Sequence, residues 1–87
     1  MPITEAKKLI GKTCVIRWSD RDGRIVRTVS KIHDATFVAI YGGFLIIDLD
    51  DLRLDKICSI ELVNADGSTI PFYGAPVANE IPLPAAA

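Results

Sequence analysis

The chain holds one histidine, His33, and two cysteines, Cys14 and Cys58. The cysteines are 44 positions apart and lack the close pairing of zinc ligands, so the sequence predicts no metal site built on them. Each stands among β-branched or apolar neighbours and reads as inert core filling. A Ser/His or Cys/His nucleophile would have to bring His33 beside Ser30, Cys14 or Cys58. His33 adjoins Asp34 in a predicted turn and reads as a surface residue. No glycine-rich phosphate loop occurs, because Gly42-Gly43 reads as a hairpin turn. Asp48, Asp50 and Asp51 cluster, but without the glycine and terminal glutamate of a calcium loop, and read as a solvated strand end. These absences predict a protein that is not an enzyme and takes no metal or other cofactor.

No apolar run reaches the roughly 18 residues of a membrane-spanning helix. The start, Met1-Pro2-Ile3-Thr4-Glu5, has neither a basic leader nor an apolar stretch before a small-residue cleavage site, so a cytoplasmic protein without a membrane partner is expected.

What is there suits one small soluble domain. The chain has 87 residues, 49% of them hydrophobic and 24% charged. A domain of this size buries about 60–68% of its unfolded surface, which leaves little room for a deep internal pocket. The net charge of −1 hides a division along the chain. Residues 1–31 carry eight basic and three acidic groups, a net of +5, and residues 32–87 carry two basic and eight acidic groups, a net of −6. Such a division suits an anionic ligand on one side, or complementary surfaces joining copies of the chain, or simply a mixed surface once the two halves interleave.

Residues Thr4 to Ile10 predict about two helical turns, with Thr4 as N-cap, Gly11 as stop, and Ala6, Leu9 and Ile10 packed inward. From Thr13 the period changes to two. Cys14, Ile16 and Trp18 face one way and Thr13, Arg17 and Ser19 the other, a half-buried strand. Asp20-Arg21-Asp22-Gly23 is a hairpin turn, and Arg24 to Ile32 is the returning strand, bulged or strongly bent because its apolar residues alternate imperfectly. Residues Thr36 to Tyr41 and Phe44 to Leu49 form a second hairpin around Gly42-Gly43. Leu52 to Ile57 reads as a strand end and a tight turn around Asp55-Lys56, and Cys58 to Leu62 as a fifth strand. A second Asp-Gly turn at Asn64 to Gly67 leads to a short pairing segment, Ser68 to Tyr73. Residues 1–74 make the domain, and 75–87 an extended Pro/Ala-rich tail, either disordered or laid on a partner.

Two stretches carry a resemblance. Leu9-Ile10-Gly11-Lys12, running into the first strand and an Asp-Gly turn, resembles the opening of an Sm-like domain. Leu52-Arg53-Leu54-Asp55-Lys56-Ile57 is similar to the run that ends the sheet in WYL domains and in the Rho-binding antiterminator family. The fold this resemblance implies is all-β: a five-stranded, strongly bent antiparallel SH3-like or Sm-like small barrel with a short N-terminal helix. It implies pairing of first and last strands, with Cys14 and Cys58 as near neighbours. The function it implies is that of a non-catalytic regulatory module, often oligomeric, that binds nucleic acid, a regulatory ligand or a protein.

Two candidate surfaces follow. Arg17, Arg21, Arg24, Arg27 and Lys31 lie on the first hairpin, where a shared surface would track the phosphates of single-stranded nucleic acid, with Trp18 or Tyr41 for stacking. The competing reading is a solvated charged face with Trp18 in the core. Phe44-Leu45-Ile46-Ile47 is apolar at consecutive positions, so Phe44 and Ile46, together with Ile81 and Leu83 of the tail, are expected to meet a second copy of the chain. A purely protein-binding module that uses edge strands and the tail is the alternative to nucleic-acid recognition.

Overall fold

The computed structural model describes residues 1–48 and 50–74. The readings made above for the tail, Ile81 and Leu83 included, lie outside the described residues.

A short helix, α1 (Ile3–Lys7), opens the chain. It has five residues in place of the expected Thr4 to Ile10, and its N-cap is Pro2, two positions before Thr4. The Pro2 carbonyl accepts from the amides of Glu5 and Ala6, both at 3.1 Å. Ala6 and Leu9 are buried as predicted, while Ile10 points into solvent.

Seven strands follow among the described residues: β1 (Thr13–Ser19), β2 (Ile25–Lys31), β3 (Asp34–Val38), β4 (Gly42–Ile46), β5 (Asp51–Arg53), β6 (Ile57–Val63) and β7 (Thr69–Gly74). A single 3-10 turn, Leu54–Lys56, joins β5 to β6. The strands form two antiparallel sheets, in the orders β2-β1-β6-β7 and β3-β4-β5. The all-β class therefore holds, while the described residues form seven strands in two sheets and not the expected five-stranded, strongly bent barrel. Leu52 and Ile70 bring two further short strands into pairing, and the chain leaves the first sheet for the second between Lys31 and Asp34. That crossing replaces the bend expected inside the second strand, where β2 pairs with β1 without a register shift from Lys31 to Ile25.

The imperfect alternation of β2 has a plain cause. Val26, Thr28 and Ser30 face inward, whereas Ile25 and Val29 sit outward with Arg27 and Lys31. The bulges lie elsewhere, at Arg17/Trp18 between β1 and β6 and at Ile60/Glu61 between β6 and β7.

One continuous core fills the space between the sheets and α1. Cys14, Ile16, Ile57 and Ile60 come from the larger sheet, Ala35, Leu45 and Leu52 from the smaller, with Ala6, Leu9 and Leu54 closing the ends. β1 does pair with β6, which holds the residues expected as the fifth strand, although β7 follows it. Its register sets Cys14 opposite Leu62 and Trp18 opposite Ile57, so Cys58 falls at the far end of the strand pair, beside the bulge. The expected neighbourhood of Cys14 and Cys58 is thus corrected by register, not by strand order.

The second hairpin turns earlier than its glycines suggest. β3 pairs with β4 from Asp34↔Ile46 to Val38↔Gly42, so the turn is Ala39-Ile40-Tyr41 and both glycines already belong to β4. Gly43 serves packing: a Cβ there would stand 2.5 Å from Leu54 Cδ1. The tight turn closes with the Tyr41 amide donating to the Val38 carbonyl at 3.0 Å.

A link between the sheets involves a titrating group. The Asp48 amide donates to Ser30 Oγ at 3.0 Å, and the Asp48 carboxylate accepts from His33 Nε2. Hydrogen bonding from His33 and then from Ser30 holds the Asp48 carboxyl below the ordinary value of 3.8. A carboxyl depressed by folding stabilises the fold above its unfolded value, and the contribution disappears as pH falls through the folded value. Asp48→Asn is therefore expected to destabilise the protein near neutral pH, by an amount that shrinks as pH falls below 3.8, measured as urea midpoints across that range. A difference that does not shrink in acid would contradict the assignment.

Candidate functional site

The basic set divides into three groups. Arg21 and Arg24 stand at the tip of the β1–β2 hairpin, where Asp20 organises the turn. Its Oδ1 accepts from the amides of Asp22 at 2.8 Å and Arg24 at 2.9 Å, which leaves both arginine side chains exposed. Arg27 and Lys31 share the outward face of β2 with Ile25 and Val29. Arg17 lies on the same outward face, directly opposite Arg27, but is largely covered.

One partner of Arg17 there comes from the acidic half of the chain. Arg17 Nη1 donates to Glu61 Oε1 at 2.9 Å, with side-chain exposures of 13% and 15%. Glu61 Oε2 lies 3.4 Å from Thr69 Oγ1 on β7. Glu61 thus offsets the repulsion of two arginines facing each other across a strand pair. Trp18 faces the core side, half-buried, and donates from Nε1 to Thr28 Oγ1 at 2.9 Å. Neither Trp18 nor Tyr41, which sits on the other sheet, stands on the basic face.

Phe44 and Ile46 occupy the face of β4 opposite Leu45 and are half-buried. Their strand neighbours are Thr36 and Arg53 for Phe44, and Asp34 and Asp51 for Ile46. The aspartates do not converge: among the described residues no three His, Cys, Asp or Glu side chains come together as metal ligands. Burial pushes the Cys14 thiol up to about 11, so its reactive thiolate is scarce at neutral pH.

A larger feature lies at the β3–β4 tip. Phe37, Val38, Ile40 and Tyr41, at the end of one hairpin, are 64%, 42%, 97% and 62% exposed, with Phe37 and Val38 on opposite faces of β3. Ile40 has φ of 78°, a left-handed conformation that a β-branched residue adopts at a cost of about 1–2 kcal/mol. Beside the tip, Met1, Ile3, Phe37, Tyr41 and Leu54 line a shallow cleft of about 300 Å³. Sequence reasoning missed this site because it placed Thr36 to Tyr41 wholly within a strand. The signal available was an apolar run, Phe37 to Tyr41, that continues into a turn, where polar residues are usual.

The chain matches no protein-family model, no curated protein and no solved structure.

Proposed function

We propose that this protein is a non-catalytic interaction module that associates with a second copy of itself through the tip of the β3–β4 hairpin. The observation that carries the reading is Phe37 and Tyr41, two exposed aromatic residues that line one cleft at a hairpin end where Val38 and Ile40 are exposed as well. Exposed aromatic side chains that share a cleft mark interaction surfaces, and aromatic anchors contribute most of the energy of such contacts. Backbone strain at Ile40 fits the same reading, because strain gathers where function holds the chain in place. The tip and the cleft share Phe37 and Tyr41, so the patch can meet its own copy about a two-fold axis. Kinship with Sm-like and SH3-like small barrels, which imply oligomeric non-enzymatic modules, draws support from the β1–β6 pairing and the 3-10 turn before β6.

Light scattering at micromolar concentration is expected to give twice the 9.5 kDa of one chain. A 9.5 kDa particle would overturn the proposal. Tyr41→Ser is expected to weaken association by about 1–2 kcal/mol, roughly 5- to 30-fold in dissociation constant. Ile40→Gly is expected to raise the stability of the single chain by about 1 kcal/mol while weakening association, since it removes both the strain and the side chain.

A second reading rests on Arg27 and Lys31, exposed on one face with Arg21 and Arg24 at its end. This arrangement suits the phosphates of single-stranded nucleic acid. Its test is a titration of oligo(dT) against salt. Affinity that falls steeply with salt and drops on Arg27→Ala supports it, and absence of binding at low salt ends it.

A further inference from the structure

β2 is an edge strand of the larger sheet, paired among the described residues with β1 alone. The Ile32 amide donates to the Lys12 carbonyl and the Asp20 amide to the Arg24 carbonyl, both at 2.9 Å, and the register between these two bonds is unbroken. Antiparallel strands alternate residues that bond across the pair with residues that bond away from it. The backbone groups of Val26, Thr28 and Ser30 are therefore turned to β1, and those of Ile25, Arg27, Val29 and Lys31 to the other side. Lys31 is satisfied locally: its carbonyl accepts from Ser30 Oγ at 2.9 Å, and its amide donates to the Asp48 carboxylate. The amides and carbonyls of Ile25, Arg27 and Val29 have no partner among the described residues.

The other edges of the two sheets are closed to pairing in ways that β2 is not. β7 carries Pro71, which lacks an amide donor, β5 has three residues, and β3 packs against α1. The device on β2 is charge. Arg27 and Lys31 stand four positions apart on its outward face, alternating with Ile25 and Val29, and neither makes an ion pair among the described residues. Two cations at this spacing repel a basic strand and admit one that sets a carboxylate opposite each of them.

We propose that the edge of β2 binds an extended acidic segment of a partner protein, which adds to the sheet as a further antiparallel strand. In that pairing the residues bonded to Ile25, Arg27 and Val29 carry their side chains on the same outward face, directly opposite. From its N-terminal end the segment reads acidic, any, apolar, any, acidic, any, apolar, and meets Lys31, Val29, Arg27 and Ile25 at alternate positions. Main-chain hydrogen bonds hold it, and its carboxylates select it. No stretch of residues 1–87 has this pattern: the one pair of acidic residues four positions apart, Asp51 and Asp55, has Arg53 between them. The proposal is independent of the hairpin-tip association, because Tyr41 belongs to the hairpin of the other sheet.

The peptide acetyl-Glu-Thr-Val-Thr-Glu-Thr-Val-amide, titrated at low salt into the full chain labelled with nitrogen-15, tests it. Saturable amide shifts are expected at Ile25, Arg27 and Val29, with slower hydrogen exchange at the same three amides in the complex. N-methylation of the second Glu, which removes the donor to the Arg27 carbonyl, is expected to weaken binding about tenfold. Arg27→Glu, in a chain shown to be folded by its dispersed amides, is expected to weaken it by a similar factor, and a peptide with Lys in place of the second Glu to recover it. Absence of saturable shifts in the folded chain overturns the proposal. An N-methylated peptide that binds as tightly as its parent also overturns it, because charge alone then holds the segment. Shifts at these amides with oligo(dT) and none with the peptide overturn it in favour of nucleic acid.

Discussion

Replacing Ile16 by alanine is expected to cost about 2–5 kcal/mol of folding stability, the range for a buried Ile or Leu cut back to Ala. Ile16 is wholly buried at the middle of β1, opposite Thr28 on one side and Ile60 on the other. Both flanking strands hold its backbone, so little collapse is open to the site, and the loss belongs in the upper part of that range. For a domain of this size the total stability is on the order of 4–13 kcal/mol, so the change removes a third or more of it. Urea unfolding followed by circular dichroism should show a much lower midpoint with an unchanged slope. Ile25→Ala is the control. Ile25 is an isoleucine on the neighbouring strand but on the outward face, 42% exposed, and is expected to cost within about 0.5 kcal/mol. Equal losses at the two positions would show that the inward face of β1 is misassigned.

Glu61→Gln is expected to cost about 2–3 kcal/mol, well above the usual value of a surface ion pair. Two effects combine. The Arg17–Glu61 contact at 2.9 Å is largely shielded from water, so its charge-assisted hydrogen bond is not readily replaced by solvent. In addition, the Glu61 carboxylate no longer weakens the repulsion between Arg17 and Arg27, which face each other across the β1–β2 pair. The second effect is separable. Arg27→Gln in the Glu61→Gln background is expected to restore about 1 kcal/mol, and added salt should restore a similar share of the loss. Arg27→Gln alone should do almost nothing to stability, because Arg27 is exposed. If the second substitution restores nothing, the arginines do not repel and the account of Glu61 as their counter-charge fails.

The charge division read along the chain takes on a different meaning in space. Arg17 from the basic half meets Glu61 from the acidic half, and His33 in the β2–β3 connection meets Asp48 just beyond β4. What remains of the basic half is narrower than the five residues first grouped: Arg27 and Lys31 on β2, with Arg21 and Arg24 at the hairpin tip. The grouping by strand was legible, since period two places Arg17 on the outward face of β1. The pairing of Arg17 with Glu61 was not, because a residue 44 positions away is brought to it only by the β1–β6 register.

The exposed tip shows the reverse case. Gly42-Gly43 is a strong local turn signal, yet the turn forms three residues earlier and forces Ile40 into a left-handed conformation. Leu54 explains why Gly43 is kept: its side chain needs the space that any Cβ would fill. The glycine that local rules give to a turn is here required by a tertiary contact.

Period-two alternation, Asp-Gly turns and the tight turn at Asp55-Lys56 are properties of a few neighbouring residues. By themselves they determined an all-β protein, its first hairpin and the turn before β6, because strand sidedness and turn chemistry act over short range. The division into two sheets, the distance between Cys14 and Cys58, the shielding of Arg17 and the exposure of Phe37 to Tyr41 were decided only in the tertiary structure. Each depends on register between strands far apart in the chain, where a shift of one residue reverses every face and no local signal records the choice.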